Sequence, residues 1–483
     1  RVGGPAPWEL WVLPGSGSVL GGLAEVCVGV LGVAVTVVSI IVELASNRYT
    51  PRITEIFLRD RLNLVALSFF VLTSVVVLWV ELSVGPLPPT APPPRAMMLV
   101  ADGMLSLSLL GLLPYFAYVF TFLSPTRLVA RLADEAEALI EQASQPSRTL
   151  AARRAVVVRL EQLGDVALKS VQNEDRAIAA AAVRAVGEVL DAAGAARARL
   201  PDAWYDAREL LGADPDFVAY DPEVLDAIVG ARTWLELKAL VQVEAVFRAA
   251  VPGSRDIAHL VGIVLRRVAV GAAARGDRVV VETVLRFLNT ALRAAINAHD
   301  VRTAYHLLSE YRLLAAGLLG TPVQDLMPEV AERMKGYGQL AFRAQLPFVL
   351  ETVAYDLCTV IEAAWRASAP EHDALLRVFL DVDREADSVV QEAALRGVRK
   401  AQIKLATFYL QHGEEVLARR IHADMGREDP ARMRGIREEI ESTPGRWYWE
   451  VSDRGVNFDW IEPERRAWMT VFFRWFDDAD LAH

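Results

Sequence analysis

The pattern of apolar and polar positions divides the chain into three stretches. In the first, residues 25–46 are apolar enough to cross a membrane, yet Glu25, Gly29, Gly32, Thr36, Ser39, Glu43 and Ser46 recur at alternating steps of four and three. That spacing holds one face of an α-helix in register and predicts a helix with a small, hydroxylated face amid Val, Leu and Ile. The helical rise sets Glu25 and Glu43 about 27 Å apart, close to the ~30 Å of a bilayer's hydrocarbon core. Three apolar runs are long enough to span, at about 18–46, 62–84 and 97–123. Trp8 and Trp11 precede them as interfacial anchors. Asn63, Ser74 and Glu81 share a face of the second run, and Asp102 lies one turn from Ser106 in the third, which also carries Pro114.

From Thr126 onward the pattern changes to nearly continuous amphipathic helix. Helices are expected at about 126–144, 149–170, 174–193, 203–212, 222–250, 256–275, 278–298, 301–319, 323–341, 345–368, 370–395, 397–411 and 414–424. Breakers such as Pro146, Gly194, Pro252-Gly253, Gly320 and Gly413 punctuate them. No stretch alternates with period two for long enough to argue for a sheet. The pairs 278–298 with 301–319 and 397–411 with 414–424 are expected to form antiparallel hairpins. The fold class is therefore all-α: a polytopic membrane domain at 1–124, an irregular helical array at 125–440, and a distinct tail at 441–483.

That tail is set apart by its aromatic content. Gly445 to His483 holds five of the eleven tryptophans, Trp447, Trp449, Trp460, Trp468 and Trp475. Large rings at this density are expected to dock on the protein's own domain or on a neighbouring subunit. The acidic end, Asp477-Asp478-Ala-Asp480, disfavours an anionic lipid surface. Glu450 to Asp459 is expected to form a short strand or extended turn, followed by a helix starting near Pro463.

Charge fixes the orientation. The loop 47–61 carries four arginines in fifteen residues, Arg48, Arg52, Arg59 and Arg61, with Pro51 and Asp60 among them, whereas the Pro-rich loop 85–95 carries only Arg95. The positive-inside rule puts loop 47–61 and everything after residue 124 in the cytoplasm of a bacterial inner membrane. Three spans with the N-terminus outside satisfy this, as do four with one upstream of Arg1. Glu25, Glu81 and Asp102 then lie toward the outer boundary, and Glu81 and Asp102 would flank an outer mouth.

The remaining composition mainly excludes. A formal net charge of −10 over 483 residues argues against nucleic acid as a partner. Two cysteines, Cys27 and Cys358, allow no disulfide framework or metal spacing. No phosphate loop, GxGxxG, HExxH or GxSxG occurs, and no catalytic, cofactor-binding or metal residue is expected. Of seven histidines, His299 and His306 are seven apart beside Asp300; two surface histidines on a helix explain them better than a metal site.

The element Ser46-Asn-Arg-Tyr-Thr-Pro51-Arg52 to Phe57-Leu-Arg59-Asp60-Arg61 resembles a bacterial family of predicted membrane proteins of unknown function. Members carry a similar (S/T)-P-R to F-x-R-D element between membrane helices, followed by a large helical cytoplasmic domain. The resemblance covers 36–75 and, more faintly, 165–190, where Gln172-Asn173-Glu174-Asp175 stands in place of the family's Asn-Asp-Pro pattern. It implies the architecture and brings no activity.

Two readings compete for the face of Glu25, Gly29, Gly32, Thr36, Ser39 and Glu43. Small residues let helices approach closely, which suits packing in a homo-oligomer. Repeated around an axis, the same face would line a cation pore. Both readings bury it against protein and keep it from lipid. The expected function is a non-catalytic, oligomeric, membrane-tethered helical scaffold with no cofactor, its cytoplasmic domain available to a protein partner; the alternative is a cation-preferring homo-oligomeric channel.

Overall fold

Helix follows helix wherever apolar positions recur at the 3.6-residue period, and the breaks fall at glycines, prolines and left-handed residues. The computed structural model describes residues 17–48, 53–84, 95–383, 392–426, 428–447 and 454–480. Among these residues the chain is all-α and forms no strand. Trp8, Trp11, Pro51, Arg52 and Trp449 lie outside the described residues, as does the Arg48 side chain. Two compact units result, one of Arg1–Asp134 with Asp165–Ala181, the other of Glu135–Gly164 with Ala182–His483.

In the first unit, α1 (Gly17–Arg48), α3 (Arg61–Val84) and α4 (Arg95–Phe122) pack pairwise, and the short α2 (Ile53–Leu58) bridges α1 and α3. Three candidate spans, Glu25–Ser46, Arg61–Ser83 and Ala96–Phe122, lie where the hydropathy pattern predicts them. Cys27, Val77, Val80, Met98, Ala101 and Leu105 form the shared core, and Val76 packs against it. Cys27 Sγ meets Ser74 Oγ at 3.5 Å, and the Ser74 hydroxyl donates to Phe70 O at 3.0 Å. In hydrocarbon such hydroxyls must be satisfied within the protein.

Next come α5 (Pro125–Ala143), α6 (Thr149–Gln172), α7 (Arg176–Ala196), α8 (Asp202–Tyr205), α9 (Arg208–Gly212), α10 (Pro222–Gly230), α11 (Trp234–Ala250) and α12 (Arg255–Ala274). They are followed by α13 (Arg278–Asn297), α14 (Val301–Gly317), α15 (Met327–Arg343), α16 (Pro347–Arg366), α17 (His372–Leu380), α18 (Glu392–Gln411), α19 (Glu415–Met425), α20 (Pro430–Ser442) and α21 (Pro463–Asp480). In the second unit α12 packs on α11, α13 and α14, and α16 packs on α14, α15 and α18. The expected hairpins form: α13 meets α14 through His299 (φ 54°), and α18 meets α19 through Gly413 (φ 80°). Asp300 caps α14, accepting from Thr303 N at 3.2 Å and from its hydroxyl at 2.8 Å.

Helix α12 also has the length and hydropathy of a membrane span. It is enclosed by its neighbours in the second unit, with ten of its residues buried and Arg266 paired to Glu310 of α14 at 2.5 Å. A helix surrounded by other helices is apolar on most sides for the same reason a span is.

Several expected boundaries are corrected. The single helix expected at 222–250 is two, because Arg232 (φ 59°) turns left-handed and Thr233 N closes back on Ile228 O at 3.3 Å. The one expected at 203–212 breaks at Asp206-Ala207, and that at 370–395 ends at Leu380. Helix α18 starts earlier than expected, at Glu392. Helix α20 was not anticipated; the Asp429 carboxylate caps it through Ala431 N at 3.0 Å, with Pro430 at its first position.

Candidate functional site

Two places hold polar groups that the fold alone does not require. The first is the polar face of α1. Toward α3 and α4 this helix buries Cys27, Ala34, Val38, Val42 and Ala45. Glu25, Gly29, Gly32, Thr36, Ser39 and Glu43 are all exposed, and at about 100° per residue they centre on nearly the opposite side. Packing within the chain is thus done by the apolar face, and the small polar face is left uncovered. A Cβ added at Gly29 or Gly32 would meet nothing within 4 Å. Thr36 donates its hydroxyl to Gly32 O at 2.8 Å, so the face presents oxygen acceptors. Asp102 is also exposed and Glu81 is half-buried, while Asn63 and Ser74, which share Glu81's helix face, are buried.

At the opposite end of the first unit, the loop element becomes a lock. Phe57 is buried and meets the Phe122 ring edge-on at 5.6 Å. Asp60 caps α3 by accepting from Asn63 N at 3.0 Å, and the same oxygen accepts the Tyr118 hydroxyl at 2.5 Å. Asn63 donates to Phe57 O at 3.1 Å and accepts from the Tyr115 hydroxyl at 2.7 Å. Arg59 and Arg61 remain exposed.

The second place is in the second unit, where residues 454–480 dock on α16, α18 and α19. Arg454 is clamped by Asp356 Oδ1 at 2.6 Å and Tyr305 O at 2.5 Å, with its guanidinium 4.0 Å over the Tyr305 ring. Phe458 stacks on Tyr355 at 4.8 Å, and Asp459 receives the Tyr355 hydroxyl and Lys400 Nζ, each at 2.7 Å. Arg465 makes a fork with Glu362, both bonds 2.9 Å, and both side chains are buried. Phe472 is buried against His422.

Docking on the chain's own helices is therefore observed, but not mainly through the tryptophans. Trp447 is 66% exposed and Trp468 37% exposed; Trp460 and Trp475 are half-buried, the latter beneath Arg419 at 4.4 Å. The anchors are an arginine fork and phenylalanines, because they fall on the faces turned toward α16, α18 and α19.

Between the docked segment and α14, α16 and α18 lies a cavity of about 430 Å³. Six cationic and three acidic side chains line it. Arg312 and Arg454 share Asp356, at 3.1 and 2.6 Å, while Arg366 and Arg465 share Glu362. Burial raises the Asp356 carboxyl, and the two guanidiniums pull it back. Lys404 donates to the carbonyls of Phe458 and Trp460 at 3.2 and 3.0 Å. Cys358 also lines the cavity, and burial pushes its thiol far up, which favours the neutral form.

The histidines separate. His299 is exposed at the α13–α14 turn, whereas His306 stacks on His259 of α12 at 4.1 Å. Among the described residues no group of three or more His, Cys, Asp or Glu is placed to hold a metal ion.

Comparison with known proteins bears on the first unit and the helices after it. Residues 13–196 match the family described as predicted membrane protein (DUF2254). The match spans the three membrane helices, the lock around Asp60 and both segments from which the resemblance was read, and it ends with α7 at Ala196. DUF2254 has no assigned function. No curated protein and no solved structure matches the chain. The docked tail and its cavity lie beyond the DUF2254 match.

Sequence reasoning missed Arg454, Asp356, Glu362, Arg465 and Lys404. Arg454 and Asp356 are 98 positions apart, and each alone reads as an ordinary charged residue. An available signal was that Glu351, Asp356 and Glu362 fall on the mostly apolar stretch from Phe348 to Ile361 and its continuation, where an acid needs a partner.

Proposed function

We propose that this membrane protein is a non-catalytic helical scaffold that self-associates in the membrane through the polar face of α1. One observation carries the reading: Glu25, Gly29, Gly32, Thr36, Ser39 and Glu43 are exposed on the side of α1 away from its own bundle. Carboxylates and hydroxyls facing hydrocarbon are costly, and small residues allow a second helix to approach closely. A second copy of α1 brings the same groups to the same depth and removes them from lipid together. The arginines of loop 47–61 support an inner-membrane location with the helical array in the cytoplasm, where its exposed faces are open to a protein partner.

The test is oligomer mass in detergent or nanodiscs for wild type and Gly29→Leu/Gly32→Leu. Because an added side chain at either glycine meets open space, the variant is expected to fold as a single chain and to lose the oligomer. An unchanged oligomer would remove α1 from the interface.

A second reading rests on the acceptors of that face. With its hydroxyl proton given to Gly32 O, Thr36 offers oxygen toward the uncovered side, between the carboxylates of Glu25 and Glu43. Such a wall suits a cation path if several copies surround an axis.

A further inference from the structure

The cavity closed by the tail has more positive charge than its own carboxylates balance. Three carboxylates, Asp356, Glu362 and Glu462, serve four guanidiniums, and Lys404 is held by the carbonyl oxygens of Phe458 and Trp460. Arg446 lies at the rim with its guanidinium over the Trp447 ring. Polar atoms in the walls are also left without hydrogen-bond partners: Arg454 Nε as a donor and Asp356 Oδ2 as an acceptor, both buried. Asp356 is only 2% exposed, so its open acceptor is not served by bulk water. Buried polar atoms are rarely left unsatisfied in a native protein. The space, about 430 Å³, has the size of a small-molecule site, and Tyr355, Phe458 and Trp460 supply its apolar part.

We propose that this cavity binds a small phosphorylated, hydroxyl-bearing molecule, of the sugar phosphate or nucleoside phosphate class, and that binding fastens the C-terminal segment. The phosphate meets the cationic surplus at Lys404, Arg446 and Arg454. A hydroxyl donates to Asp356 Oδ2, which a bare anion cannot satisfy. Arginine forks and an ammonium are the usual partners of phosphate oxygens. Arg454, Phe458, Trp460, Glu462 and Arg465 come from the docked segment, Arg446 precedes it with its carbonyl accepting from Asn457 N at 2.9 Å, and Arg312, Asp356, Glu362 and Lys404 come from α14, α16 and α18. A ligand spanning both holds the segment down, and the site is incomplete when it lifts. This inference does not depend on self-association through α1.

The test uses the full chain in detergent, with inorganic phosphate, ribose 5-phosphate, AMP and ATP as probes. Isothermal titration is expected to show saturable binding of at least one organic phosphate and weaker binding of inorganic phosphate. The bound probe is expected to slow proteinase cleavage between 443 and 462 by about tenfold, in line with stabilisation by a ligand specific to the closed form. Arg446→Gln, at an exposed position, is expected to weaken binding about tenfold with the ligand-free melting temperature unchanged. Absence of saturable binding by all four probes at millimolar concentration would overturn the proposal. Binding that Arg446→Gln and Lys404→Gln both leave intact would overturn the assignment to this cavity. Equal affinity for inorganic phosphate would overturn the hydroxyl-bearing class.

Discussion

Asp60 and Tyr118 are 58 positions apart, and one carboxylate oxygen of Asp60 takes the Tyr118 hydroxyl at 2.5 Å while capping α3 through Asn63 N at 3.0 Å. A single acidic side chain thus fixes where α3 begins and ties that point to α4. The Phe57 and Asp60 of the loop element consequently have a structural role that spacing alone does not disclose. Tyr118→Phe removes one charge-assisted hydrogen bond and is expected to cost about 1.5–3 kcal/mol. Asp60→Ala removes that bond and the cap together and is expected to cost about 1 kcal/mol more. Thermal unfolding in detergent, read by size-exclusion of the heated protein, checks the order. A Tyr118→Phe loss equal to or larger than that of Asp60→Ala would dissolve the lock.

The helical pattern disclosed α1, α3 and α4 because a span must be apolar along its whole length, and the polar face of α1 because seven positions kept one register. It did not disclose Tyr118 with Asp60, or Arg454 with Asp356, since nothing in a local window marks which distant charge will meet which. The tail shows the limit from the other side. Tryptophan content announced docking, but on α21 it is Phe472 that is buried and Trp468 that is 37% exposed, a choice made by the orientation of that helix on α18 and α19. Helix α10 ends because Arg232 adopts φ 59°, which residue type does not foretell.

The aromatic tail gives a direct comparison. Phe472 is fully buried at 0% exposure, so Phe472→Ala is expected to cost about 3–5 kcal/mol and to expose the C-terminal helix to protease. Trp447→Ala, at 66% exposure, is expected to change stability by no more than about 0.5 kcal/mol. Limited proteolysis and thermal melts of the two variants read both effects. A larger loss for Trp447 would restore the tryptophans as anchors.

The fork between Arg465 and Glu362 is buried on both sides, which makes removal of one partner worse than removal of both. Glu362→Gln leaves the buried Arg465 with only the longer contact to Glu462, at 3.5 Å, and is expected to cost about 3 kcal/mol. Glu362→Met/Arg465→Met is expected to recover much of that loss, because neither member of the fork is then left buried without the other. Arg366, which also pairs with Glu362, is 53% exposed and can turn to water. A double variant less stable than either single one would argue that the fork itself is a net source of stability.

Glu351 gives the second unit a pH dependence near neutrality. Burial, and after it the nearby Asp459 charge, raise its carboxyl from 4.5 to about 7, with Lys400 acting the other way. The folded chain therefore holds a proton that the unfolded chain releases near pH 4.5. Stability from this group is complete below that value, falls as pH rises toward about 7, and levels off above it, a loss of up to about 3 kcal/mol. Glu351→Gln is expected to match wild type at pH 4.5 and to melt higher at pH 8. Equal melting temperatures at pH 8 would show that Glu351 is ionised without cost.

The scaffold and channel readings of α1 part at ion flux. Both remove Glu25 and Glu43 from lipid, and both use the face on which Thr36 and Ser39 lie exposed. Only a channel needs those two positions to stay wet. If the face is a packing surface, purified protein in liposomes is expected to pass no more cation than Thr36→Leu/Ser39→Leu, because leucines there exchange one dry contact for another. A flux that the two leucines abolish while oligomer mass is unchanged would make the face a pore wall. Glu25→Gln would then be expected to shift cation preference, since the carboxylate is the charged group at that end of the face.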